Sequence, residues 1–313
     1  MAEILTMGEL IVEIMRPKED MPLDMAGTFL GPFPSGAPAI FIDTAARLGH
    51  SVAIIGGVGD DDFGRCLVNR LKKDGVDCSN VLISSKGSTG CAFVNYFHDG
   101  SRKFIFHMDN TPAVIAKPLD EKSLVGTKYF HIMGCSLMAN LQFGQNILKT
   151  MHNAKSIGAK VSFDPNIRSE LMKDDSCLSI IQEVLSNASI FLPGVSELMM
   201  VTGQSSLQDA IKTCFEYPNL EILVIKNGSK GCIVYTRKEN FQMGVFPITP
   251  VDATGAGDSF DATFLCSLLE GKTIKDCAIR ASAAAALNTL AFGPMEGNIS
   301  PNTIENLIKE SEI

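Results

Sequence analysis

Short apolar runs alternate with longer amphipathic segments along most of the chain, and this alternation strongly limits the fold. Runs with the length of buried strands are EILTMGEL, SVAIIGGVG, KYFHIMG, KVSFDPN, ASIFLPG and LEILVIKNG. Segments with helical spacing lie between them, namely AIFIDTAARLG, FGRCLVNRLKKDG, QNILKTMHNAKSIG and CLSIIQEVLSN. Strands that are apolar throughout, separated by helices, predict a mostly parallel sheet with helices on both faces. We therefore expect an α/β fold.

Two stretches, about 10–34 and about 88–108, interrupt this alternation. The second contains CAFVNYFHDGSRKFIFH, which predicts a β-hairpin that turns at Asp99 and Gly100. We expect the two stretches to form a small β-sheet lid over one edge of the main sheet. Because no low-complexity linker or internal repeat is present, we expect a single domain over residues 1–313.

Composition excludes several classes of protein. The formal net charge of −8 lacks the basic footprint of a nucleic-acid-binding protein, so we expect no nucleic-acid partner. No secretion signal or apolar run of membrane-spanning length is present, so we expect a cytoplasmic protein with no membrane partner. The nine cysteines include no C-x-x-C pair, and we expect buried free thiols.

The stretch VDATGAGDSFDATF combines a glycine-rich turn, an acid and the start of an apolar helix. Backbone N–H groups at a helix start lack intrahelical partners, and Gly255 and Gly257 permit unusual backbone angles and a close approach. With the helix dipole, these groups form an anion hole. Asp258 is placed to accept a proton from a substrate hydroxyl beside a bound phosphoryl group. A capped helix whose aspartate only complements the dipole fits the stretch equally well.

Other nucleotide-binding motifs are missing. The chain has no G-x-x-x-x-G-K-[ST] sequence, and Phe260 occupies the last position of a G-x-G-x-x-G pattern in the same stretch. A second near-match, GGVGDDDFG, fails at Asp62. A hydride-transferring Rossmann enzyme is therefore the weaker enzymatic interpretation.

Several motifs together resemble the ribokinase-like (PfkB) family of carbohydrate kinases. DATGAGDSF is similar to its C-terminal signature, and SGAPAIFIDTAARLG followed by IIGGVGDDDFG is similar to its N-terminal signature. FDPNIR, PGVSELMMVTG and VIKNGSKG follow in family order, so the resemblance spans nearly the whole chain. It implies a three-layer α/β/α sandwich with a small β-sheet lid, ATP as phosphate donor and Mg²⁺ as cofactor. It also implies a homodimer that pairs through the lid.

The resemblance assigns roles to the residues of the glycine-rich turn. Asp258 corresponds to the catalytic base. Three residues whose amides would form the anion hole for the γ-phosphate are Gly255, Ala256 and Gly257. Asp252 and Thr254 fall where many relatives bind a monovalent cation, often K⁺, together with carbonyl groups of residues 288–293.

The resemblance also assigns the nucleotide side of the site. Glu197 in PGVSE corresponds to a glutamate that organises Mg²⁺ through water. Lys226, Gly228 and Gly231 correspond to a turn that lines the nucleotide, and Asn288 to a position near the adenine.

The sugar side is expected to contain acidic and amide side chains, which pair well with vicinal hydroxyl groups. The corresponding residues are Glu13, Gly36, His107, Asp164, Asn166 and Arg168. Asp164 and Asn166 follow a predicted strand, so turn formation explains them nearly as well. Glu13 also fits an exposed lid residue.

Three positions depart from the pattern of the family. Ile40 stands where many relatives have an asparagine that contacts the sugar, and Gly194 stands where an asparagine is common. His107 stands where relatives that phosphorylate 2-keto-3-deoxygluconate often have an arginine. A histidine is a poorer partner for a carboxylate near neutral pH, which lowers the odds of an acidic sugar.

We therefore expect an ATP-dependent kinase that acts on a primary hydroxyl of a small sugar, a ketohexose such as fructose or tagatose. Three alternatives stay open. The first is a kinase of 2-keto-3-deoxygluconate or a related sugar acid, and the second is a nucleoside kinase. The third is a sugar-binding regulator that has kept the fold and lost turnover, which Ile40 and Gly194 favour.

Overall fold

The computed structural model describes residues 2–172 and 176–311, and for Ser176 the backbone alone. Within this part of the chain, the strands of the large sheet are β1 (Ile4–Met7), β4 (Val52–Gly59), β5 (Val81–Ser84), β8 (Tyr129–Met133), β9 (Lys160–Asp164), β10 (Ile190–Phe191), β11 (Ile222–Lys226), β12 (Cys232–Thr236) and β13 (Asn240–Met243). Their spatial order is β13-β12-β11-β10-β9-β8-β1-β4-β5. In this spatial order, the seven strands β11, β10, β9, β8, β1, β4 and β5 pair in parallel. Strand β12 pairs antiparallel with β11, and β13 pairs antiparallel with β12.

A second, smaller sheet contains β2 (Ile11–Met15), β3 (Leu30–Ser35), β6 (Gly90–Tyr96) and β7 (Arg102–His107), in the order β3-β2-β6-β7. Strands β6 and β7 form a hairpin, in which Gly100 has φ +79° and the Phe97 N–H donates to the Ser101 carbonyl at 3.0 Å. The small sheet thus comes from the two stretches that interrupt the β–α alternation. That it acts as the lid of a single domain stays a prediction.

The helices occupy the segments between the strands. In chain order they are α1 (Ala37–Arg47), α2 (Asp62–Lys73), α3 (Glu121–Leu124), α4 (Gly134–Ala139), α5 (Leu141–Ser156), α6 (Ser176–Asn187), α7 (Val195–Thr202), α8 (Leu207–Cys214), α9 (Ala256–Leu269), α10 (Ile274–Asn288) and α11 (Pro301–Glu310). The predicted α/β fold with a mostly parallel sheet and a small second sheet is confirmed. Among the described residues, no helix combines the length and apolar character needed to cross a bilayer.

Burial explains why the central elements are so apolar. All residues of β4 are buried, as expected for a parallel strand with both faces covered. Helix α9 packs against α1 and α10, and its residues 258–267 are buried on every side. Because α9 is enclosed, its acids Asp258 and Asp261 are taken out of water together with the apolar side chains.

Arg16 organises the segment that connects β2 and β3. Its buried guanidinium group donates to the carbonyl oxygens of Thr28 at 3.2 Å, Pro22 at 3.1 Å and Met25. The same group lies 3.8 Å from the centroid of the Phe29 ring, an arrangement suited to a cation–π contact. One side chain therefore satisfies several backbone groups of an otherwise irregular segment.

Replacing Arg16 by methionine tests this role. Arg16→Met should lower the free energy of unfolding by about 1–3 kcal/mol, because buried carbonyl groups lose their hydrogen-bond donors. The measurement is urea denaturation at neutral pH. The control is Arg65→Met on α2, whose side chain is 57% exposed and whose ion pairs should contribute about 0–1 kcal/mol. Equal losses of unfolding free energy in the two variants would contradict this stabilising role of the buried Arg16 side chain.

Candidate active site

A polar cavity of about 200 Å³ lies between the small sheet and the carboxyl ends of the parallel strands. Its walls include Glu13 from β2, Arg102 from β7, Asp164 at the end of β9, and Asp258 in the first turn of α9. Crevices at the carboxyl ends of parallel strands are the usual ligand sites of open α/β sheets. The cavity is therefore the first candidate for a substrate site.

The turn before α9 depends on one glycine. Gly255 has φ +80°, and a Cβ atom added to it would lie 2.4 Å from the Pro294 carbonyl oxygen. Gly257 already belongs to the helix and has no positive φ, so the expectation of unusual backbone angles at both glycines holds only for Gly255. Gly257 still lines the cavity, so the start of the helix is accessible there, and the Ala256 N–H makes only a long hydrogen bond, of 3.4 Å, to the Ala253 carbonyl oxygen.

Asp258 has the environment of a general base. Its side chain is 7% exposed, and its Oδ1 accepts a hydrogen bond from the Asn166 Nδ2 at 3.0 Å. Burial raises the pKa of Asp258 to about 7, and the negative charge of Asp164 adds to the effect, whereas Arg168 and Lys226 oppose it. A carboxylate with a pKa close to the working pH is well matched to proton abstraction from a hydroxyl group.

Lys226, at the end of β11, lies between two buried aspartates. Its Nζ is 2.8 Å from the Asp164 Oδ2 and 2.9 Å and 3.1 Å from the two carboxylate oxygens of Asp261. Burial acts to raise the pKa of Asp164, but the Lys226 ammonium group overcomes it and holds that pKa below its ordinary value. Burial raises the pKa of Asp261 well above its ordinary value.

The sequence analysis missed Asp261. The signal was present, since Asp261 follows Asp258 by three residues and such spacing places two side chains on the same face of a helix. An acid within an otherwise apolar helical stretch needs a partner, which here is Lys226.

Two glutamates line the polar cavity. The Ser35 Oγ donates to the Glu13 Oε1 at 2.6 Å, and the Glu13 Oε2 is buried without a partner among the described residues. Glu9, which sequence reasoning missed, accepts hydrogen bonds from the Ser136 Oγ and, at 3.2 Å, the Cys135 Sγ. Burial raises the pKa of both glutamates. The placement of Glu9 just beyond the carboxyl end of β1 could have indicated it.

His107 does not reach the polar cavity, contrary to expectation. It is exposed, and its ring contacts the edge of Phe93 at a centroid distance of 6.1 Å. Side chains alternate along a strand, and in β7 the cavity receives Arg102, Phe104 and Phe106 instead. The one-residue offset places His107 on the opposite face of the small sheet.

Two arginines bring positive charge to the same cavity. The guanidinium carbons of Arg102 and Arg168 lie 5.7 Å and 5.8 Å from the centroid of the Phe104 ring. The Arg102 Nη1 also donates to the Thr254 Oγ1 at 3.1 Å. Arg102 was not expected from the sequence, because nothing local distinguishes it from other basic residues of the hairpin.

The remaining residues expected at the sugar also line the polar cavity. They are Gly36, Asp164, Asn166 and Arg168. Ile40 lines it too, so an apolar surface occupies the position where relatives have an asparagine. Gly36 has φ +101°, and an added Cβ would lie 2.5 Å from the Glu9 carbonyl oxygen. The backbone therefore requires a glycine there.

Glu197 combines a place in the cavity wall with a structural task. Its carboxylate oxygens accept from the N–H groups of Ile167 and Gly194, each at 2.7 Å, and it closes the first turn of α7. Burial raises the pKa of Glu197, and the charge of Asp164 adds to the effect. Carboxylate oxygens of this kind are ligands that Mg²⁺ accepts directly or through water, so this wall of the cavity fits the metal.

The expected monovalent-cation position is crowded with hydrogen-bond donors. The Asp252 carboxylate accepts from the N–H groups of Thr254 at 2.9 Å and Gly293 at 3.0 Å, and from the Tyr96 hydroxyl at 3.2 Å. The Tyr96 hydroxyl also lies 2.9 Å from the Thr254 Oγ1. Within residues 2–172 and 176–311, no group of three or more His, Cys, Asp or Glu side chains could hold a metal ion.

A second cavity, of about 360 Å³ and mostly apolar, adjoins the polar one. Gly228 and Gly231 line it, as expected for a nucleotide-facing turn, together with Phe246, Ile248 and Ala285. An apolar cavity with few polar groups is typical of a site for a ring system such as a base.

Asn288 does not lie where it was expected. It is absent from the walls of the apolar cavity, and its buried Nδ2 donates to the Thr254 carbonyl oxygen at 2.7 Å. The side chain therefore supports the turn that leads to Gly255 rather than facing a base. The position at the end of α10 points it toward the turn.

Comparisons with known proteins give a consistent result. The model of the pfkB family of carbohydrate kinases matches residues 1–301. The probable fructokinase-4 of Arabidopsis thaliana is 30% identical over 318 residues, covering 98% of this chain and 96% of that protein. The fructokinase-2 of Solanum lycopersicum is 32% identical over 274 residues, covering 87% and 83% of the two chains.

Solved structures agree with these relatives. A putative ribokinase II from E. coli, in complex with ATP and Mg²⁺, superposes with a TM-score of 0.93 and is 35% identical, covering 99% of this chain and 100% of that one. A double mutant of fructokinase from Vibrio cholerae, bound to fructose, ADP and a potassium ion, has a TM-score of 0.85 and 24% identity, with 98% of each chain covered. At this lower identity, the second match supports the fold alone.

The glycine before α9 can be tested against a matched glycine at the end of the same helix. Gly255→Ala should lower turnover at least about 100-fold, because the methyl group meets the Pro294 carbonyl oxygen. Gly271→Ala has a similar φ of +73° but open space around the added Cβ, so it should cost only about 1–2 kcal/mol of stability. The measurements are turnover and urea denaturation. Similar turnover in the two variants would contradict a special role for Gly255.

The raised pKa of Asp258 has a consequence for stability. The folded state keeps the proton of Asp258 up to about pH 7, whereas the unfolded carboxyl loses it near pH 4, so the contribution of this group to stability should fall as the pH rises between these values. Asp258→Asn cannot ionise and should be about 1–4 kcal/mol more stable than wild type at pH 8. The gain should shrink toward pH 4. A gain that does not depend on pH would contradict the assignment.

Proposed function

The chain belongs to the pfkB family of carbohydrate kinases, and we propose that it transfers the γ-phosphate of ATP to a primary hydroxyl of a small ketohexose. Fructose and tagatose are the leading acceptors. The observation that carries the proposal is the buried Asp258 at the first turn of α9, beside open backbone amides and next to two adjoining cavities. Fructokinases among the relatives support the choice of acceptor.

Each part of the site has a task in the proposed reaction. The sugar lies in the polar cavity, where Glu13 and Glu9 accept hydrogen bonds from its hydroxyl groups. Asp258 takes the proton from the reacting hydroxyl group while the hydroxyl oxygen bonds to the γ-phosphorus. The bond from that phosphorus to the β,γ-bridging oxygen breaks, and ADP leaves. The amides of Ala256 and Gly257 hold the transferring oxygens.

The proposed metal and nucleotide sites follow from the donor groups present. We assign Mg²⁺ to the wall that contains Glu197 and Asp164, where contact through water suits a glutamate already bonded to two backbone amides. When bound, Mg²⁺ offsets the negative charge of the phosphates. We assign the adenosine part of ATP to the apolar cavity beside Gly228 and Gly231.

We propose that K⁺ binds at Asp252 and Thr254. The carboxylate and the backbone carbonyl groups of residues 288–293 are oxygen donors of the type that alkali cations accept. In this structure Asp252 is bonded to N–H and O–H donors, among them the Tyr96 hydroxyl of the small sheet. A requirement for K⁺ would therefore show that these donors share the carboxylate with the ion.

A second candidate acceptor is a sugar acid. The observation that favours it is the pair Arg102 and Arg168, whose side chains both line the polar cavity and could bind a carboxylate. His107, where relatives that phosphorylate a sugar acid often have an arginine, is exposed outside this cavity, and Arg102 lines the cavity instead. A sugar-binding regulator without turnover is less favoured, because the turn at Gly255 and the base Asp258 have the geometry of a working site.

We further propose a cytoplasmic homodimer that pairs through the small sheet. The face of this sheet that is turned away from the polar cavity exposes Ile105, which pairing would cover.

A panel of acceptors tests the proposed activity. Purified protein is assayed for ADP release with fructose, tagatose, ribose, 2-keto-3-deoxygluconate and gluconate, with ATP and Mg²⁺ and with or without K⁺. We expect the highest kcat/KM with a ketohexose. A preference for the acids would support the Arg102 and Arg168 alternative, and sugar binding without ADP release would support the regulator.

Asp258→Asn is the control variant of this assay. Removal of a well-placed base should lower kcat by about 10²–10⁴-fold with the best sugar. Full turnover by this variant would contradict the mechanism, whichever sugar is preferred.

A further inference from the structure

The polar and apolar cavities meet at a short boundary. Among the described residues, those that line both cavities are Lys226, Ala253 and Gly257. Lys226 is the charged member of this set. The acceptor sugar is proposed in the polar cavity and the adenine of ATP in the apolar cavity. The transferring phosphoryl group must therefore pass this boundary.

The ammonium group of Lys226 is fixed beside the first turn of α9. A Cβ atom added to Gly257 would lie 3.7 Å from the Lys226 Nζ, so the ammonium group and the open amides flank the same space. Asp164 and Asp261 hold the Nζ at 2.8 Å and 2.9 Å. Both aspartates are almost completely buried, which restricts the lysine to this position.

The ammonium group of Lys226 remains accessible from the cavities. Its Nζ donates to the Asp164 Oδ2 and to the two carboxylate oxygens of Asp261. The side chain is nevertheless 18% exposed and lines both cavities, so an anionic oxygen at their boundary can approach the positive charge.

We propose that Lys226 is a catalytic residue that donates a hydrogen bond to the phosphoryl group during its transfer, and that Asp261 is the residue that positions it. The inference rests on the proposed ATP-dependent kinase activity. In phosphoryl transfer the negative charge spreads over the three equatorial oxygens, and catalysis consists mainly of positioning and charge stabilisation. The amides of α9 contact the group from one side and the Lys226 ammonium group from the other.

This role differs from the nucleotide-lining role that the sequence suggests for Lys226. A residue that only lines the nucleotide contributes equally to binding of ADP and ATP. A residue that contacts the phosphoryl group in transit stabilises the transition state more than either bound nucleotide.

The test compares binding of ADP alone with binding of ADP plus aluminium fluoride and the best sugar, a mimic of the transferring state. Lys226→Met should weaken binding of the mimic by about 10²-fold and lower kcat by about 10²–10³-fold. Its affinity for ADP should stay within about threefold of wild type. The control Lys230→Met alters an exposed lysine on the same turn and should leave all three quantities unchanged.

A second variant covers the case in which Lys226→Met fails to fold because two buried aspartates lose their partner. The double variant Lys226→Met with Asp261→Asn removes one of these charges and should show the same selective loss of the mimic. Equal weakening of ADP and mimic, or kcat within threefold of wild type in either folded variant, would overturn the role of Lys226. A wild type that releases no ADP with any sugar would instead overturn the proposed kinase activity, and this inference with it.

Discussion

The ion pair of Lys226 with two buried aspartates connects the parts on which the site depends. Asp164 ends β9, Lys226 ends β11, and Asp261 lies one turn beyond Asp258 in α9. These ion pairs therefore connect the large sheet to α9 at the point where the two cavities meet. Buried charges of this kind are costly unless paired, and the pairing fixes where α9 begins relative to the strand ends. That position in turn places Asp258 at the polar cavity.

The small sheet completes the site from the other side. Tyr96 and Arg102 contact Asp252 and Thr254, the residues just before the glycine turn. Glu13 adds a carboxylate oxygen that has no partner of its own within the described ranges. The strands that interrupt the regular alternation thus contribute Glu13 and Arg102 to the walls of the polar cavity, and the α/β layers contribute Asp164 and Asp258.

The sequence predicted features that depend on neighbouring residues of the chain. It missed features that depend on contacts between residues far apart in the chain. The turn at Gly255 and the acid Asp258 are close together in the chain, so their pattern predicts a helix start with a carboxylate in its first turn. Asp261 and Arg102 act through contacts with residues far away in the sequence, which no local pattern reveals. His107 was misplaced because a shift of one residue along a strand exchanges the two faces of a sheet.

The pKa of the Asp258 carboxyl group tests most directly whether burial prepares this side chain as a base. It can be followed by the ¹³C chemical shift of the aspartate carboxyl carbons as the pH is raised, with Asp258→Asn identifying the signal. A midpoint at about 7 is the expected result. A midpoint near 4, the value of an aspartate in water, would contradict it.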